Sequence, residues 1–262
     1  MLKVRVIPVL LLRDGLLVRS EGFDFHQIIG NPVQEVARYS EWSVDEIIYL
    51  DISRDAQFDA RRNDHKTASF GDFAEVLDAL SSLCFVPLTF GGGINTFDDA
   101  AFRIAHGADK VAINSAGHRR PALLTEVADV FGSQAVVASI DARRHADGSL
   151  EVFVDGGRTA TGLHPVFCAM RAEDCGAGEI LIGSIDRDGT GQGYDLDLVE
   201  QVAAAVNIPV IALGGVGTFE HFAPAVRAGA SAVAAANLFH FKELSDRQAK
   251  RSLARAGVNV RT

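Results

Sequence analysis

Short runs of β-branched and aliphatic residues alternate with longer segments of helical period about eight times along the chain. The strand-like runs begin near Val4, Glu46, Val86, Lys110, Ala135, Glu179, Pro209 and Ala232. Between them, apolar residues recur at three- and four-residue intervals. Phe73, Val76, Leu77, Leu80 and Leu83 do so in one segment, and Leu198, Val199, Val202 and Val206 in another. That is the period of a helix with one buried face. Thr96 and Thr218 stand where N-caps are expected, and Gly107 and Gly229 where C′ glycines are expected. Strands that are apolar throughout indicate a parallel sheet covered on both faces. Eight such units predict a (β/α)8 TIM barrel with its active site at the C-terminal ends of the strands.

The two halves of the chain resemble each other. Asp45–Asp55 aligns with Gly178–Asp188, Phe90–Ile94 with Leu213–Gly217, and Gly107–Val111 with Gly229–Val233. A doubled half-barrel accounts for this pattern. No linker or low-complexity stretch divides the chain, so a single domain over residues 1–262 is expected. The polar stretch Arg61, Arg62, Asn63, Asp64, His65 and Lys66 follows a strand, and so reads as a flap on the mouth side or a solvated loop. The stretch from Gly15 to Asn31 is expected to be irregular and to lie on the same side.

Composition narrows the function. With 262 residues, 48% of them hydrophobic, the chain has ample material for a large core. A net charge of −9 and the lack of a dense Lys/Arg run argue against a nucleic-acid partner. No apolar stretch approaches the roughly 18 residues needed to span a membrane. Cys84, Cys168 and Cys175 have no metal-ligand spacing and suit a reducing, cytoplasmic setting. Eight scattered histidines offer no convincing zinc pair, and neither a metal nor a cofactor is expected.

Two glycine-rich turns follow strands, Gly91-Gly92-Gly93 and Gly214-Gly215. Glycines there let backbone N–H groups approach an anion, although a tight turn needing positive φ would select glycine as well. As a pair in a pseudo-twofold barrel, they suggest a small molecule with a phosphate at each end. Asn114 and Ser115 could add donors at one end, with Ala236 and Asn237 as their counterparts at the other. Asp188 and Gly189 open a second polar loop at the mouth. Asp141 ends the fifth strand, where a carboxylate can act as general acid or base; a helix cap or ion pair is the plainer alternative. At the opposite end of the strands, Arg5, Glu46, Lys110 and Glu179 can meet as a ring of two cations and two anions. Such a ring could plug the barrel bottom or gate a small neutral molecule.

The runs Phe131–Val137, Gly176–Leu181 and Ser184–Thr190 carry a resemblance to the cyclase subunit of imidazole glycerol phosphate synthase. It covers nearly the whole chain, from Leu2 to Ala256–Arg261. The resemblance implies a phosphate-binding barrel that docks a glutaminase on its N-terminal face. Ammonia would pass through a charged gate, matched by Arg5, Glu46, Lys110 and Glu179, and travel along the axis to the mouth. Asp109 matches a position at the glutaminase interface. It further implies that the family's two catalytic aspartates map to Asp141 and Leu11, so the first is missing here. Other departures are Gly183 for a hydroxyl residue, Leu213 for a small polar one, Asn237 for a serine and Arg19 for a lysine of the first loop. The Ile7–Leu12 strand is similar to that of barrels encoded with bacterial surface-sugar pathways. For those, the resemblance implies delivery of ammonia to an ATP-dependent sugar amidotransferase. Three functions therefore stand open: an ammonia-conducting subunit for sugar amidination, a cyclase of histidine biosynthesis, and a scaffold that only activates a glutaminase.

Overall fold

Residues 3–41, 44–53, 73–240 and 245–261 are described by a computed structural model. The strands are β1 (Arg5–Arg13), β2 (Leu16–Glu21), β3 (Phe25–Gly30), β4 (Ile47–Asp51), β5 (Leu88–Gly91), β6 (Lys110–Ile113), β7 (Val136–Arg144), β8 (Leu150–Val154), β9 (Thr159–Ala160), β10 (Glu179–Ser184), β11 (Val210–Leu213) and β12 (Ala232–Ala235). Parallel pairing runs β10-β11-β12-β1-β4-β5-β6-β7 and returns from β7 to β10. Eight strands thus close into a (β/α)8 barrel whose register is set by pairs such as Arg5 with Ala232 and Gly183 with Asp141.

Side chains on a strand point alternately to opposite faces. On β1, Val6, Leu10 and Leu12 belong to the outer core beneath the helices, whereas Ile7, Val9 and Leu11 belong to the barrel interior. Ile48, Ala112, Val137, Leu181, Ile211, Ala232 and Ala234 join the interior set. Both faces are buried, and for that reason β1 reads as one continuous apolar run.

Two antiparallel excursions rise from the mouth. β2 and β3 form a hairpin after β1, inside the stretch expected to be irregular. β8 and β9 fold back on the extended end of β7. The Arg61–Lys66 stretch lies outside the described residues.

Helix Phe97–Ala105 starts with a full capping box. Thr96 Oγ1 accepts from the Asp99 N–H, and Asp99 Oδ2 accepts from the Thr96 N–H. The expectation for Thr218 fails: it precedes a 3-10 turn, Phe219–His221, and its side chain makes no capping bond. At Gly107, φ is +98° and an added Cβ would lie 2.4 Å from Ser81 Cβ, so both backbone and space require glycine at this helix C′ position.

Candidate active site

The C-terminal ends of the strands surround a cavity of about 480 Å³. Leu11, from the end of β1, and Asp141, from β7, both line it. Asp141 Oδ2 accepts a hydrogen bond from Asn114 Nδ2 at 2.8 Å. Desolvation pushes the Asp141 carboxyl up to about 7, with Asn114 opposing the shift and nearby Asp188 adding to it. A carboxyl in that range can donate and accept protons near neutral pH. Gly183 on the neighbouring strand offers no side chain, and a Cβ there would lie 3.0 Å from Asp141 Oδ1. Leu11 and Leu213 add an apolar lining to the same cavity, beside polar groups that include His26, Asp51 and Asp188.

The candidate phosphate residues divide into two groups. At one end, Gly92, Gly93, Asn114 and Ser115 all line the cavity. Gly92 has φ +94°, and an added Cβ would sit 1.9 Å from the Asp51 carbonyl oxygen; only glycine permits this approach. At the other end, Asp188, Gly214 and Ala236 line the cavity, while Gly189, Gly215 and Asn237 are not among its lining residues. The Gly215 carbonyl accepts from Gly193 N–H at 2.7 Å. Asn237 Nδ2 donates to the Ser20 carbonyl at 2.9 Å.

The β2–β3 hairpin covers that second end. Ser20 Oγ donates to Asp188 Oδ2 at 2.8 Å, and Phe23 N–H donates to the same oxygen at 3.2 Å. Burial raises the Asp188 carboxyl above its ordinary range, against the pull of these two donors. Arg19, expected in a loop, lies in β2 opposite Gln27, with Nη2 3.3 Å from Glu21 Oε1. It does not line the cavity.

At the opposite end of the barrel, the four floor residues do meet. Arg5 Nη1 lies 2.6 Å from Glu46 Oε2 and 3.0 Å from Glu179 Oε1, and Lys110 Nζ lies 3.0 Å from Glu46 Oε1 and 3.3 Å from Glu179 Oε1. Burial disfavours the Arg5 charge, but Glu179 and Glu46 outweigh it and hold Arg5 more firmly protonated. Thr89 Oγ1 completes the shell around Glu46 with a 2.7 Å bond. Sequence reading did not single out Thr89, because a threonine inside a strand carries no mark of its partner. Asp109 is exposed beside Lys110 and accepts from Leu88 N–H at 2.8 Å. Between floor and mouth lies the apolar interior set, from Ile7 and Ile48 up to Val9 and Leu11.

Among the described residues no cluster of His, Cys, Asp and Glu could hold a metal ion, and no helix is long and apolar enough to cross a membrane. The model of the histidine biosynthesis protein family matches residues 5–245. The chain is 44% identical over 264 residues to the imidazole glycerol phosphate synthase subunit HisF of Gluconacetobacter diazotrophicus, covering 100% of this chain and 97% of that one. It is 46% identical over 263 residues to the subunit of the same name from Hyphomonas neptunium, covering 100% of both. The closed eight-stranded barrel agrees with that likeness, and the chain belongs to the histidine biosynthesis protein family, among relatives of the HisF type.

Proposed function

We propose that the chain is the barrel subunit of a glutaminase-coupled complex of the imidazole glycerol phosphate synthase type. A HisH-like glutaminase would dock at the floor near Asp109. Ammonia would pass the Arg5–Glu46–Lys110–Glu179 ring and reach the mouth along the apolar axis. The observation that carries this reading is the closed ionic ring below an uncharged interior and above it a cavity holding Asp141. A ring of alternating charges is a selective barrier, since it repels or traps ions but offers a neutral molecule only hydrogen bonds.

For the reaction at the mouth, the relatives' name favours synthesis of imidazole glycerol phosphate and the family favours histidine biosynthesis; the resemblance implies cyclisation of a phosphoribulosyl substrate. Asp141 would serve as its acid/base group, and the Gly92–Gly93 and Gly214–Gly215 turns would hold the two phosphates. One observation favours a second reading. Leu11 lines the mouth where the family's first catalytic aspartate is expected, and leucine can neither titrate nor hydrogen-bond. In that reading the barrel passes ammonia to an acceptor on another protein, such as an ATP-dependent amidotransferase of a bacterial surface sugar.

Co-expression with the HisH-like glutaminase of the same genome separates these readings. Stimulated glutamine hydrolysis with imidazole glycerol phosphate formed supports cyclisation. Stimulated hydrolysis with none formed supports delivery elsewhere. Absence of both complex and stimulation overturns the shared proposal.

A further inference from the structure

On the rim beside Ser115, three residues form a connected group to which the likeness assigns no role. Asp155, in the turn after β8, has a left-handed backbone with φ +58°, a conformation that non-glycine residues other than Asn and Asp seldom take. The Asp155 N–H donates to Ser115 Oγ at 2.9 Å, its carboxylate accepts from Arg119 Nη2, and its carbonyl accepts from Arg158 Nε at 2.7 Å. One residue therefore fixes two guanidinium groups to the same wall. Arg119, Asp155 and Arg158 all line the mouth cavity, as does Ser115.

Neither side chain expected to hold a phosphate at this end has a donor to spare. Both amide hydrogens of Asn114 are engaged, on Asp141 Oδ2 at 2.8 Å and Ser139 Oγ at 3.3 Å. The single hydroxyl hydrogen of Ser115 goes to Asn114 Oδ1 at 3.3 Å. The helix that begins there, Ser115–Arg119, has five residues, too few to add a useful dipole. Backbone amides of the glycine turn contribute only partial charges. Full positive charge at this end comes from Arg103, which is buried behind the glycine turn with Nη2 on the Gly92 carbonyl at 2.8 Å and does not line the cavity, and from Arg119 and Arg158, which do. The Asp155 carboxylate already offsets Arg119, whereas Arg158 meets only a carbonyl and has no carboxylate partner among the described residues. Arg158 lines the cavity and is exposed, its Nε is held on the Asp155 carbonyl, and a guanidinium is the group that binds phosphate bidentately through its fork.

Resting on the phosphate-binding reading above, we propose that Arg158 is the anion-recognition residue of the Ser115 end of the mouth, positioned by Asp155 with Arg119 beside it, and that the acceptor there is a phosphate monoester. Inorganic phosphate is the probe, titrated into the full chain and followed by amide NMR. Gly93 and Gly156 report this end, and Gly214 and Ala236 the other. In wild type, shifts at Gly93 and Gly156 should saturate with phosphate. Arg158→Ala should weaken that binding about tenfold or more, and Arg158→Lys, which keeps the charge and loses the fork, by an intermediate factor. Arg120→Ala, which removes an equal charge from a residue that does not line the cavity, should leave affinity unchanged. Arg158 is exposed, so an unaltered melting temperature in phosphate-free buffer should accompany the loss. Equal affinity in wild type and Arg158→Ala overturns the assignment of Arg158 while phosphate binding stands. A comparable loss in Arg120→Ala also overturns it, since any surface charge would then serve. No saturable shift at Gly93 and Gly156 in wild type overturns the phosphate reading of this end together with the arginine.

Discussion

Leu11 and Asp141 lie on strands that stand four positions apart in either direction around the closed barrel, and both line the same mouth cavity. One is packed into the apolar axis with Ile7 and Val9. The other is a carboxyl pushed up to about 7 by desolvation. At the mouth β7 supplies a carboxyl able to transfer protons and β1 supplies an aliphatic side chain at Leu11, while His26, Asp51 and Asp188 line the same cavity from other positions.

Asp141 should reveal this in its titration. Its folded pKa of about 7 exceeds the roughly 3.9 of an unfolded aspartate. Between those values the folded state binds more protons, so stability attributable to this group is present at low pH and lost as pH rises through 7. Carboxyl-carbon NMR should give a midpoint near 7. Urea unfolding should show Asp141→Asn gaining stability over wild type from pH 4 to pH 8. A midpoint near 4 would remove the basis for acid/base chemistry here.

The floor ring should be most sensitive at Glu46, whose side chain is 1% exposed, against 13% for Glu179. Glu46 partners Arg5, Lys110 and Thr89 at once. Glu46→Ala leaves two cations sharing one carboxylate and should cost about 3 kcal/mol in denaturant unfolding. Glu179→Ala should cost less, because water reaches that side. Equal, small losses would mean that the ring is solvated and contributes no barrier.

Ser20 should act as the latch of the β2–β3 hairpin. It is 3% exposed and donates to Asp188 Oδ2, which also takes the Phe23 N–H. Ser20→Ala should weaken the latch by about 1.5 kcal/mol, as for a hydrogen bond to a charged acceptor. Hydrogen exchange at Gly22 and Phe23 should then speed by roughly tenfold, with the barrel strands little changed. The Asp188 carboxyl should rise further above its ordinary range, having lost a donor. Unchanged exchange would show that packing alone holds the hairpin.

The barrel was legible because its strands are buried on both faces. Expected starts near Glu46, Pro209 and Ala232 match strands beginning at Ile47, Val210 and Ala232. The hairpins were not legible: β3 is exposed or half-buried along its whole length, so no apolar alternation marks it. Thr96 and Thr218 look equivalent in the repeat but differ in the residue three positions on. Asp99 closes the capping box after Thr96, whereas His221 stands after Thr218 and instead accepts from Gly217 N–H through Nδ1 at 3.3 Å. The floor ring was readable because its four charges sit at strand starts. Asn114 on Asp141, Ser20 on Asp188 and Asp155 on Arg119 join residues far apart in sequence, and no local pattern announces such pairs.

The aliphatic β1 position at the mouth is tested most directly by placing a carboxylate at Leu11. Wild type, Leu11→Asp and Leu11→Asn are compared in ammonium-driven formation of imidazole glycerol phosphate, with circular dichroism confirming that each is folded. Leu11→Asp should exceed wild type by about 10²-fold or more, in line with the worth of a general acid/base group, and Leu11→Asn should not. A wild-type rate equal to or above that of the folded Leu11→Asp protein would contradict the claim that the leucine on β1 leaves the reaction without a proton-transfer group at that position.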